Sequence, residues 1–64
     1  MVKTDAEIHL NCLLIEKLVG ELVLEGADDA ELVSMVYNMF TPETLEQEEK
    51  YSRAILNGKF IILN

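Results

Sequence analysis

The chain has 64 residues, 50% of them apolar, with 12 acidic and 5 basic side chains and a net charge of −7. This length supports at most one domain, and a half-apolar composition excludes a disordered chain. The five cations (Lys3, Lys17, Lys50, Arg53 and Lys59) do not cluster, which argues against direct binding to DNA, RNA or an anionic membrane, where grouped cations displace counterions.

Cys12 is the only cysteine, so no disulfide forms within one chain. With no apolar segment after Met1-Val2-Lys3, it points to a reducing, cytoplasmic setting. No run approaches the roughly 18 apolar residues that cross a bilayer. A domain this small has a thin stability margin, and self-association is a common compensation, so a homodimer is expected.

The first helix is predicted over residues 5–25. Thr4-Asp5-Ala6-Glu7 fits a capping box, and Gly26 supplies the left-handed stop. At 100° per residue Ile8, Cys12, Ile15, Val19 and Leu22 form one stripe with the 4-3-4-3 spacing of a knobs-into-holes seam, widened by Leu14, Leu18 and Val23. A second, narrower stripe of Leu10, Leu13 and Leu24, with the Lys17 stem between them, lies on the far side. A helix apolar on two sides is usually covered on both. Helices 2 and 3 can cover one side, leaving the other for the C-terminal tail, a second copy or a partner. Asn11 sits at the edge of the main stripe and reads as a residue at the solvent boundary rather than a register-setting polar group.

The second helix is predicted over residues 29–40, with Asp28 as N-cap and acids in the first turn that suit the helix dipole. Leu32, Val33, Val36, Tyr37, Met39 and Phe40 make a broad apolar face with Met35 beside it. Met35, Tyr37, Met39 and Phe40 are candidate contact residues, because methionine adapts to irregular partners.

The third helix is predicted over residues 42–56, with Pro42 at its first position and Asn57-Gly58 as its stop. Leu45, Tyr51, Ala54, Ile55 and Leu56 are its inward candidates, and Glu46–Lys50 and Glu49–Arg53 are i,i+4 pairs. Residues 59–64 read as a short apolar strand or extended tail. Phe60, Ile61, Ile62 and Leu63 should be docked, on their own helices, across a dimer axis or on a partner, because a free apolar segment invites edge pairing.

The fold expected is therefore all-α, a small three-helix domain with a short apolar tail. No catalytic site is expected. Asp5, His9, Cys12 and Glu16 share one side of helix 1 and are metal-ligand types, but structural zinc sites draw ligands from separate segments and the chain has no second His or Cys. Ser34 and Ser52 have no histidine near them in sequence, and a thiol in an apolar seam is inert. Gly20, Gly26 and Gly58 are too isolated to cradle a phosphate, so no metal and no cofactor are implied. Helices 2 and 3 have the outline of a helix-turn-helix, but Pro42-Glu43-Thr44-Leu45-Glu46 carries the wrong charge for phosphate contacts.

The function expected is that of a small acidic interaction protein, of the accessory or inhibitor kind made by phages and bacteria, binding a protein partner stoichiometrically. The alternatives are an acidic mimic of nucleic acid that blocks a basic groove and a structural homodimer or assembly subunit. Candidate interface residues are Leu10, Leu13, Leu24, Met35, Tyr37, Met39, Phe40, Phe60, Ile61, Ile62 and Leu63.

Overall fold

The N-terminal cap makes the first half of a capping box, while Glu7 Oε1 accepts from the Thr4 hydroxyl instead of its backbone N–H. Thr4 Oγ1 accepts the Glu7 backbone N–H at 3.2 Å and opens α1 (Asp5–Leu24). At the other end Gly26 takes φ +93, with its N–H donated to Val23 O and that of Ala27 to Leu22 O. This is a Schellman closure, and Leu22 and Ala27 both pack on the core beside it. Asp28 Oδ1 accepts the Glu31 N–H at 2.8 Å and opens α2 (Asp29–Phe40). The computed structural model describes residues 3–63, the side chains of residues 62 and 63 excepted, and these residues form three helices and no strand.

The third helix starts later than Pro42. The residue before a proline is disfavoured in helical geometry, and Thr41 instead takes the left-handed region at φ 40 and ψ 76 to end α2. The helix α3 (Leu45–Leu63) is capped by Thr44, whose Oγ1 accepts the Gln47 N–H at 3.1 Å, while Gln47 Oε1 accepts the Glu43 N–H at 3.0 Å. Gln47 is 1% exposed, a buried polar residue that the inward candidates omit. The Thr44-x-x-Gln47 spacing is itself a capping-box signature, masked in the sequence by Pro42 two residues earlier.

The C-terminal segment is a second difference. Through residue 63 it is neither strand nor extended tail but the continuation of α3. Asn57-Gly58 does not stop the helix, because Gly58 is a packing residue. A Cβ built there would lie 2.7 Å from Glu16 O and 2.9 Å from Val19 Cβ. Only a bare Cα lets α3 pass α1 this closely, so tertiary contact overrides the local stop signal. Asn64 lies outside the described residues.

Contacts between α1 and α3 fix their direction. Lys3 Nζ reaches Glu43 Oε1, Asn11 reaches Tyr51, Cys12 reaches Lys50 O, and Val19 meets Gly58. Position rises together along both helices, so α1 and α3 run parallel and pack directly on each other, and α2 returns antiparallel against both. The core is Ile8, Ile15 and Val19 from α1, Leu32 and Val36 from α2, and Tyr51, Ala54 and Ile55 from α3. Phe40 packs edge-on against Tyr51 with ring centroids 6.2 Å apart. Leu45, at 78% exposed, and Leu56 face outward instead of into the core, because the later start of α3 leaves Leu45 on its first turn beyond the packed seam.

Ion pairs tie the ends. Lys3–Glu43 (3.0 Å) fastens the start of α1 to the α2–α3 link, and Lys59–Asp29 (2.6 Å) fastens the end of α3 to the start of α2. The hydrogen bond from Lys3 holds the Glu43 carboxyl below its ordinary pKa. Glu46–Lys50 closes at 3.3 Å, whereas Glu49–Arg53 is not an ion pair among the described residues.

Candidate interaction surface

The far-side stripe of α1 stays bare. Leu10, Leu13 and Leu24 are all exposed, Leu24 at 71%. α3 covers only its edge. Ile61 joins Leu13, Lys17, Gly20 and Leu24 around an open groove of about 370 Å³ rimmed by Glu16 and Glu21. Gly20 is buried and makes the floor.

The candidate residues of α2 divide by helix position. Tyr37 and Phe40 are half-buried and pack against the core, while Met35 and Met39 are exposed, Met39 at 60%. Met39 and Phe40 face Leu14 and Leu18 of α1 across a groove of about 240 Å³, with Lys17 and Glu21 at its rim. A third groove, between α2 and α3, is lined by Tyr37, Leu45, Glu48, Arg53 and Leu56. It adjoins a smaller cleft floored by Val33 and Ile55. Phe60 and Ile61 are exposed on the last turns of α3, and the side chains of Ile62 and Leu63 lie outside the described residues.

Leu14, Val33, Leu45 and Leu56 belong to these exposed surfaces and are absent from the sequence-derived candidates. Sequence placed each on or beside an apolar stripe. Their exposure follows from crossing angles that periodicity does not contain.

The polar candidates come together only in part. His9 is exposed and Cys12 half-buried, with its Sγ 3.8 Å from Lys50 O. Burial raises the thiol's pKa, Glu16 raises it further, and Lys50 opposes both. Among the described residues no group of three or more His, Cys, Asp and Glu side chains converges as a metal site does. Asn11 is half-buried and donates to Tyr51 Oη, so it sits at the solvent boundary and also spans the α1–α3 seam.

Among the described residues no helix is long and apolar enough to cross a membrane. No protein-family model, curated protein or solved structure matches the chain.

Proposed function

We propose that this is a small acidic binding protein, not an enzyme, that engages a protein partner stoichiometrically through the α1–α2 groove. The observation that carries this reading is the pairing of Leu14 and Met39, both exposed, on opposite walls of a groove floored by Leu18 and Phe40. Neither side chain is needed to close the core, and a flexible thioether beside an aromatic ring adapts to an apolar insert. A helix presenting apolar side chains three and four residues apart fits such a groove. The chain's net charge of −7 favours a partner whose rim is basic and speeds the encounter.

The test is affinity capture by the full chain from its source cells, comparing wild type with Leu14→Gln/Met39→Gln at low salt and at about 1 M salt, where the Debye length falls to about 3 Å. The reading expects a partner held at equal stoichiometry, retained in high salt by wild type and lost by the variant. Equal capture by both proteins overturns it. Capture that high salt abolishes equally in both also overturns it, in favour of an acidic mimic of nucleic acid.

A further inference from the structure

The two walls of the α1–α2 groove change character along their length. On α1, Leu14, Leu18, Glu21 and Glu25 follow one another at 4-3-4 spacing and share one flank within about 40°, and the first three line the groove. On α2, Met39 lines it, and Met35 and Glu31 lie within about 80° of Met39 around the helix. Val33 and Tyr37 sit on the opposite flank, in the grooves shared with α3. Because α1 and α2 run antiparallel, both walls pass from apolar to acidic in the same direction. That direction is toward the α1–α2 turn, where Asp28 adds a further carboxylate.

Glu21, Glu25, Asp28 and Glu31 are exposed and belong to no ion pair among the described residues. Lys17 borders the apolar half of the groove from the outer stripe of α1 and likewise closes no ion pair among those residues. Beyond Phe40, at the other end, Lys3 and Glu43 neutralise each other, and the same flank of α1 carries one acid, Glu7. A cation on an incoming segment is therefore repelled beside Leu14 and Leu18 and attracted about two turns further on. The other two large grooves lack this polarity. Arg53 shares a rim with Glu48 and Glu49, and Lys17 stands with Glu16 and Glu21.

We propose that the occupant of this groove is an amphipathic helix of a partner protein, apolar at one end of its docking face and basic at the other, lying with lysines or arginines over Glu21, Glu25 and Glu31. The inference rests on the α1–α2 groove being the contact surface and adds the polarity of what it holds. Leu14 to Glu25 spans about 17 Å at 1.5 Å per residue, so about three turns of a partner helix cover it. A helix satisfies its own backbone, which two helical walls cannot do for an extended segment. The apolar end of the partner meets Leu14, Leu18, Met39 and Phe40, and its cations meet carboxylates that have no partner ion among the described residues. The charge pattern thus sets the direction in which the helix lies and rejects apolar helices whose cations stand elsewhere.

The experiment is a fluorescence-anisotropy titration of the full chain into labelled synthetic helices of about 14 residues, at about 0.1 M salt, where the Debye length is about 10 Å. The probe carries leucines three and four apart on its first two turns and lysines on the same face of its last two. One control peptide of the same composition has the lysines on the opposite face, and another has glutamates in their place. The probe should bind at least about tenfold more tightly than either control. Glu21→Gln/Glu25→Gln should weaken probe binding by about fivefold or more, and Glu48→Gln/Glu49→Gln, with the same change in net charge, by less than about twofold. Leu14→Gln/Met39→Gln should abolish binding, with the helicity of each variant confirmed by circular dichroism. If Leu14→Gln/Met39→Gln loses binding but the probe and controls bind alike, or the two acidic pairs cost the same, the groove reading stands and the polarity is overturned. If Leu14→Gln/Met39→Gln binds as tightly as wild type, the groove reading itself fails and takes the proposal with it. No binding of the probe at about 1 mM overturns the proposal. So does a doubling of the chain's mass in sedimentation that Leu14→Gln/Met39→Gln abolishes, which makes a second copy the occupant.

Discussion

Asn11 Nδ2 donates to Tyr51 Oη at 3.0 Å, joining the parallel helices α1 and α3 across their seam. The two partners differ in burial. Tyr51 is wholly buried, whereas Asn11 keeps access to water. Removing Asn11 therefore leaves the hydroxyl desolvated and unpaired, while removing the hydroxyl leaves an amide that water can satisfy. Tyr51→Phe should lower stability by no more than about 1 kcal/mol, and Asn11→Ala should cost less in the Tyr51→Phe background than in wild type. A double-mutant cycle of denaturant unfolding measures the difference, with a coupling of about 0.5 kcal/mol or more expected. Purely additive losses would show that the bond adds nothing.

Gly58 is a close-approach residue, and replacing it by alanine should separate α1 from α3. The added Cβ meets a backbone carbonyl, Glu16 O, and the Cβ of a fully buried valine, so neither neighbour can turn away. Alanine gains about 1 kcal/mol over glycine in helix propensity, but overpacking a tight contact costs about 1–3 kcal/mol. Chemical denaturation should show a net loss. A net gain would mean that the helices separate there without cost.

Thr41 is the one non-glycine residue with positive φ among the described residues, and it is β-branched. Pro42 after it disfavours continuing the helix, and the left-handed conformation ends α2. Thr41→Gly should raise stability by about 0.5–1 kcal/mol, since glycine adopts this region without steric penalty. The carbonyl of residue 41 still accepts from Lys3 Nζ in the variant, because residue 41 contributes only its backbone to that contact. A thermal melt decides the sign. A lower melting temperature would show that the threonine side chain contributes more than its strain removes.

Cys12 should react slowly in the folded protein. Its raised pKa keeps the thiolate scarce at neutral pH, and its Sγ points toward Lys50 O on α3. Because the folded pKa lies above the unfolded value, the thiol's contribution to stability is complete below the unfolded pKa. That contribution is lost as pH rises through the folded one. Iodoacetamide labelling at pH 7 should be at least about tenfold faster in denaturant than in buffer. Equal rates would place the thiol in open solvent.

Sequence carried the helical plan because its signals are local. Thr4, Asp28 and Gly26 mark helix ends through bonds made within a few residues, and the inner seam of Ile8, Ile15 and Val19 follows from periodicity alone. Gly58 misled because a glycine after an asparagine reads as a stop unless the opposing surface, Glu16 and Val19, is known. Gln47 was hidden by Pro42, which placed the cap three residues too early. The exposed stripe of Leu10, Leu13 and Leu24 was legible as a surplus apolar face, but its glycine floor was not. That Gly20 is buried beside Ile61 depends on where α3 crosses α1.

The account rests most on the claim that the outward apolar side chains serve contact with other molecules and not the fold itself. The thermal unfolding of Leu14→Gln/Met39→Gln tests this directly, because glutamine keeps helix propensity while removing the apolar surface. The account predicts a melting temperature within about 4 °C of wild type, a loss of less than about 1 kcal/mol for a domain of this size. A fall of more than about 10 °C, the signature of a lost core contact, would contradict it.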